Sequence, residues 1–229
     1  MATAGGNATG TAPLVIPPKT EHAATVVFVH GLGQRNESWV TLLEPVVARL
    51  PGVKWIIPQA PSAPVAFNNG HIRPSWFNIA NLPPTCYDEA GVAASVATIE
   101  NLVISEVRGG VESAKIVLVG FSQGAALSLM TALTTLHELG GVASLSGWIP
   151  KQSRQAMLQI EPVLPVFWGH GTADTEVPLL YAEECVSFLR ESLNIPEDRV
   201  VFKKYEGLEH TVNDAELGDL TVWLSEILA

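Results

Sequence analysis

Short apolar runs recur along the chain, separated by segments whose apolar residues fall at helical spacing. The runs are Thr25–Val29, Val53–Ile57, Lys115–Val119, Gly141–Leu145, Pro165–Trp168 and Val200–Tyr205. Continuous, β-branched runs of this length predict strands buried on both faces, as in a parallel sheet. Between them the spacing predicts helices over residues 38–50, 88–107, 125–138, 179–193 and 213–228. The second shows Val92, Val96, Ile99, Leu102 and Val103 on one face, and the last shows Leu217, Leu220, Leu224, Ile227 and Leu228. Asn213 with Glu216 predicts a cap pair at the start of the last helix. Pro45 predicts a kink or a second start in the first. Strand and helix alternate from about residue 24 onward, which implies a mostly parallel central sheet with helices on both faces. In such a sheet the site lies at the carboxyl ends of the strands, so the loops after residues 29, 57, 121, 145, 168 and 205 are the ones to watch.

Two segments break the pattern. Residues 1–20, rich in Ala, Gly and Thr and ending at Pro17-Pro18, are expected to form a flexible arm. Residues 58–84 hold six prolines among several asparagines, yet carry Phe67, Trp76 and Phe77. A long irregular stretch inside a compact domain usually serves as a lid or a binding loop. The expected organisation is therefore an arm over 1–20 and one α/β domain over 21–229, with a lid-like loop at about 62–84.

Composition narrows the function. The chain has 229 residues, 47% hydrophobic and 16% charged, which is a globular composition. Its net charge of −10 argues against nucleic acid and against residence on an anionic membrane. Two cysteines, Cys86 and Cys185, make no disulfide framework and no metal spacing. The N-terminus lacks a secretory signal pattern, and no run of 18 or more apolar residues predicts a membrane span. A cytoplasmic protein without stable membrane insertion is expected, as a monomer or weak homodimer.

The chemistry centres on Gly120-Phe121-Ser122-Gln123-Gly124, placed between a strand and a helix. A G-x-S-x-G in that context is the nucleophile elbow of the α/β-hydrolases. A serine hydroxyl needs a base, and the base needs an orienting carboxylate, in the chain order Ser, acid, His. Of the histidines after Ser122, His137 lies at the far end of the elbow helix and His170 leaves few strands to place an acid before it. His210 lies just past the last strand and is the candidate base. Asp174, in the loop after Trp168, is the candidate acid, with Glu176 the nearest rival. The N–H groups of Gln123 and Leu32, the latter in the loop His30-Gly-Leu-Gly33, are candidates for the oxyanion hole. His30 and His170 are expected to be structural. Trp76, Phe77 and Trp148 are the candidate substrate-binding residues. No histidine pair has metal spacing, so neither a metal nor another cofactor is expected.

Several motifs together resemble one family. They are His30-Gly-Leu-Gly33 with Trp39, Arg73-Pro-Ser-Trp-Phe-Asn-Ile79, Gly120-Phe-Ser-Gln-Gly124, Ser146-Gly-Trp-Ile-Pro150, His170 through Pro178, and Gly207-Leu-Glu-His210. In order and content they resemble the acyl-protein thioesterases of the phospholipase/carboxylesterase family. The resemblance implies an α/β-hydrolase fold and a cytosolic serine hydrolase of S-palmitoylated proteins and of oxygen esters. It implies the triad Ser122, Asp174, His210, the Leu32 and Gln123 oxyanion hole, and an acyl channel capped by residues 62–82. Gln34, Ala125 and Glu176 depart from the family pattern, and Glu176 places a charge where an apolar residue is usual. A general short-chain carboxylesterase or lysophospholipase stays open as an alternative. So does a non-catalytic receptor for a small apolar ligand.

Overall fold

The computed structural model describes residues 12–82, 88–160 and 162–229. Seven strands form one sheet: β1 (Leu14–Ile16), β2 (Ala24–Val29), β3 (Val53–Ile57), β6 (Ile116–Phe121), β7 (Gly141–Leu145), β8 (Val166–Gly171) and β9 (Val200–Tyr205). Their spatial order is β1-β3-β2-β6-β7-β8-β9. All neighbours are parallel except β1, which runs antiparallel to β3 at the edge.

The unbroken apolar runs are explained by helices on both faces. In β2, Val27 and Val29 join one core and Val26 and Phe28 the other. The first core receives α2 (Glu89–Arg108) through Val92, Ile99 and Val103, and it also receives α3 (Gln123–Ala132) and α5 (Leu179–Ser187). The second receives α1 (Asn36–Arg49) through Trp39, Leu43 and Val46, and α6 (Asp214–Ile227) through Leu217, Leu220 and Leu224. This is the expected α/β-hydrolase arrangement.

Four expectations change. The arm over 1–20 is overturned in part, because Val15 pairs with Ile56 in the sheet edge; residues 1–11 lie outside the described residues. The helix expected over 125–138 stops at Ala132, because Thr131 and Thr134 turn their hydroxyls back onto the Leu127 and Met130 carbonyls. The α-helix begun at Leu179 ends at Ser187 and continues over Phe188–Ser192 as a π-type turn. The loop over 62–84 holds a hairpin, β4 (Ser62–Val65) with β5 (His71–Pro74), closed through Asn69 and Gly70 at φ 54° and 74°. Residues 83 and 84 of that loop and Cys86 lie outside the described residues. Pro45 is accommodated within a continuous α1, and a further short helix, α4 (Arg154–Ile160), follows β7.

Among the described residues α2 alone is long and apolar enough to cross a membrane by length and composition. Here it packs on the sheet, and its buried Glu106 meets Lys54 Nζ at 2.7 Å and accepts from the Thr25 hydroxyl.

Candidate active site

β6 ends at Phe121 and α3 begins at Gln123, so Ser122 alone makes the turn. Its backbone sits at φ 53°, ψ −119°, a conformation that costs a non-glycine residue about 1–3 kcal/mol. Glycines on either side let the surroundings impose it. A Cβ at Gly120 would lie 2.3 Å from the Gly124 carbonyl oxygen, and one at Gly124 would lie 2.0 Å from the Val29 oxygen. The turn is therefore pressed onto the end of β2, and the Ser122 N–H donates to Leu145 O at 2.9 Å.

Loops after the last two strands bring the other residues in. His210 Nε2 lies 2.9 Å from Ser122 Oγ, and His210 Nδ1 lies 2.8 Å from Asp174 Oδ2. Asp174 is buried and also accepts from the N–H groups of Glu176 at 3.0 Å and Val177 at 2.8 Å. Burial pushes its carboxyl pKa up. The hydrogen bonds from His210 and Val177 outweigh that, and the net shift is downward. An ionised Asp174 fixes the proton on Nδ1 and leaves Nε2 free to accept from Ser122. The Phe121 ring packs on the imidazole with centroids 5.0 Å apart. His170 acts one step behind, donating from Nε2 to Val177 O at 2.7 Å, and burial holds its pKa below the ordinary value.

The two residues whose N–H groups are candidates for the oxyanion hole flank the serine, one in sequence and one at the cavity. Gln123 opens α3, and Leu32 lies in the loop after β2 and lines the cavity at Ser122. Neither N–H finds a protein acceptor among the described residues. The Leu32 loop is pinned on both sides: Gly31 N–H donates to Gln34 Oε1 at 2.8 Å, and Gly33 N–H to Pro74 O at 2.8 Å. Gln34 Oε1 also accepts from Trp39 Nε1 at 3.0 Å, so the amide at this departure from the family pattern serves as a loop clamp. His30 is structural as expected: Nδ1 donates to Gly31 O, Nε2 accepts from Ala60 N–H, and burial lowers its pKa.

The cavity at Ser122 has a volume of about 480 Å³ and is lined by Leu32, Gln34, Phe67, Asn68, Arg73, Leu82, Phe121, Glu176 and His210. Trp76, Phe77 and Trp148 are absent from that lining and are buried. Two of them are engaged in structural contacts. Trp76 Nε1 donates to His30 O at 2.7 Å, and the Gln123 amide holds Trp76 N–H at 3.0 Å and Phe77 O at 2.8 Å. The Gln123 side chain is thus a site component that sequence reasoning used only for its N–H. Arg73 also lines the cavity, and it is the sole Lys, Arg, Asp or Glu between residues 62 and 82.

Glu216 lies beneath the site. It caps nothing with its side chain; only the other half of the expected pair forms, Asn213 Oδ1 accepting from Glu216 N–H at 2.9 Å. Its carboxyl is fully buried and unpartnered among the described residues. It occupies the space left by Gly169, where a Cβ would stand 2.3 Å from Glu216 Oε1. Burial, with the charge of Asp174, pushes its pKa up to about 8. Among the described residues no three His, Cys, Asp or Glu side chains are grouped to hold a metal ion.

The phospholipase/carboxylesterase family pattern matches residues 11–228. The chain belongs to that family. It is 37% identical over 230 residues to acyl-protein thioesterase 1 of Cryptococcus neoformans var. neoformans serotype D, covering 94% of this chain and 97% of that one. It is 38% identical over 218 residues to acyl-protein thioesterase 1 of Yarrowia lipolytica, covering 92% and 95%. Among solved structures, Zea mays acyl-protein thioesterase 2 is similar with a TM-score of 0.81 at 30% identity, covering 95% of this chain and 99% of that one. The family resemblance and fold expected from the motifs are both met, and membership in the phospholipase/carboxylesterase family makes this chain a serine hydrolase.

Proposed function

We propose that the protein is an acyl-protein thioesterase, releasing fatty acid from S-acylated proteins through an acyl-enzyme on Ser122. The observation that carries the reading is the hydrogen-bonded series Ser122–His210–Asp174, at 2.9 and 2.8 Å, opening on a partly apolar cavity. Ser122 Oγ attacks the acyl carbonyl while His210 Nε2 takes its proton. The N–H groups of Leu32 and Gln123 receive the oxyanion. The carbon–sulfur bond breaks, and Nε2 gives the proton to the leaving sulfur. Water, deprotonated by the same nitrogen, then attacks the ester, and the fatty acid departs as Ser122 regains its proton. Asp174 stays ionised throughout and holds the imidazolium in place.

One observation favours a second reading. Glu176 and Arg73 put charge into the cavity wall, which suits a short-chain carboxylesterase better than a long acyl channel. Hydrolysis rates for acyl thioesters of about two to sixteen carbons, wild type against Ser122→Ala, separate the two. Rates that climb with chain length and vanish in the variant support the thioesterase. A maximum at short chains supports the carboxylesterase, and full activity of Ser122→Ala would sink both.

A further inference from the structure

The cavity wall is divided by chemistry. Leu32, Phe67, Leu82 and Phe121 offer apolar surface, and Glu176 adds a carboxylate to the same lining from the loop after β8. The backbone of Glu176 is tied to the relay, its N–H donating to Asp174 Oδ1 at 3.0 Å. Its side chain is 58% exposed, with Oε2 at 3.8 Å from His210 Nε2, its one ion-pair contact among the described residues. An alkyl chain offers a carboxylate nothing, and covering the carboxylate would cost its hydration. The acyl chain therefore lies on the apolar side, and Glu176 faces the other half of the substrate.

That half is located by the proton. His210 Nε2 must reach the departing atom at hydrogen-bond distance, about 3 Å, to protonate it. Glu176 Oε2 is 3.8 Å from the same nitrogen, so the departing atom and its immediate neighbours pass within roughly 7 Å of the carboxylate, inside the Debye length at physiological salt. Arg73 is the other charged side chain lining the cavity beside the relay, and the chain as a whole carries −10.

We infer that Glu176 selects the leaving group: it favours thioesters whose leaving cysteine is flanked by Lys or Arg and disfavours anionic ones such as coenzyme A thioesters. The inference rests on the serine-hydrolase reading of Ser122 and His210. It makes the departure at residue 176 a filter on the half of the substrate that leaves, and chain length a matter for the apolar wall.

The test compares three S-octanoyl peptides that differ only in having two Lys, two Ser or two Glu beside the acylated cysteine. The readout is the ratio of kcat/KM between Lys and Glu peptides within each enzyme, so changes in overall activity cancel. Wild type is expected to favour the Lys peptide by about three- to thirtyfold at low salt, less at high salt. Glu176→Gln should shrink that ratio about threefold or more, Glu176→Lys should invert it, and Arg73→Gln should enlarge it. Glu226→Gln removes one charge outside the cavity lining, about 18 Å along α6 from the Asp214 end that follows His210, and should leave the ratio unchanged. An unbiased wild type, or a bias that survives in Glu176→Gln, overturns the inference and in the second case assigns the bias to overall charge. Failure of the underlying reading looks different: no peptide is hydrolysed, or Ser122→Ala hydrolyses them as well as wild type.

Discussion

The two nitrogens of the His210 ring face different surroundings. On the Nδ1 side Asp174 is buried, bonded to two backbone N–H groups and backed by His170 through Val177 O. Beyond Ser122, which belongs with that side because the elbow holds it, the Nε2 side opens on the half-exposed Glu176 and a cavity bordered by a hairpin whose Ile72 is 69% exposed. The first region is over-determined: each polar group there has several constraints, and a one-atom change leaves a partner stranded. The second is loosely held, and its side chains can change without disturbing the fold. Reaction class resides in the first region and substrate preference in the second.

The largest effects should come from breaking the tight region at its reacting atoms. Ser122→Ala should lower kcat by about ten-thousandfold or more, and Asp174→Asn by about a thousandfold or more, because the amide no longer fixes the proton on Nδ1. Ser122→Ala should keep a near-wild-type urea midpoint, whereas Asp174→Asn should lose about 1–3 kcal/mol because its buried partners lose a charged acceptor. If Asp174→Asn kept most of its kcat, Asp174 would not be the acid. Gly124→Ala should act on folding instead. Its Cβ would stand 2.0 Å from Val29 O, and stability should fall by about 3 kcal/mol or more, read from the same urea transitions. A soluble Gly124→Ala protein of wild-type stability would show that the elbow is not pressed onto β2.

How far the sequence alone carries differs between these regions for a physical reason. Val53–Ile57 and Val200–Tyr205 appear as strands with the residue limits expected, the first almost wholly buried and the second at the sheet edge with Lys203 and Lys204 exposed. Ser122, Asp174 and His210 are legible as candidates because topology fixes their order and their loops. Their meeting distances, and the role of the Gln123 amide, depend on folding across sequence separations of 36 to 88 residues and leave no local trace. The β4–β5 hairpin was legible but unread: Asn69-Gly70 is a hairpin-turn signal, masked by the surrounding prolines. In the sequence Trp76 and Phe77 suggest substrate contact, because an aromatic in a loop suggests a ligand. Here the Gln123 amide holds their backbone and draws both under the elbow.

Glu216 gives a smaller effect whose sign distinguishes it from Asp174. Between the ordinary value of 4.5 and about 8, the unfolded chain has lost a proton that native Glu216 keeps. The native state then binds more protons, and this contribution to stability falls as pH rises through that window. Asp174 contributes oppositely: its lowered pKa gives stability present above its ordinary value of 3.8 and lost as pH falls through the native one. Glu216→Gln removes only the first. Relative to wild type it should gain stability as pH climbs from 5 to 8, by about 1–3 kcal/mol over that range. Urea midpoints at pH 5, 6.5 and 8 measure it. A difference that does not vary with pH would mean that native Glu216 is ionised like the unfolded carboxyl.

The smallest effects belong to the hairpin, and they sharpen the contrast by occurring one position apart in its register. Val65 is fully buried and joins the first core, whereas Ile72 points to solvent from the partner strand opposite Pro64. Val65→Ala should cost about 1–2 kcal/mol, since it removes buried methyl groups from packed surroundings. Ile72→Ser should change stability by no more than about 0.5 kcal/mol, because its side chain gives up little contact on unfolding. Both should keep the catalytic rate on a short, soluble ester within about twofold, because neither residue lines the cavity at Ser122. If Ile72→Ser instead lost as much stability as Val65→Ala, the hairpin would be held by contacts along its outer edge, and the loosely held side of His210 would have to be redrawn as a second rigid wall.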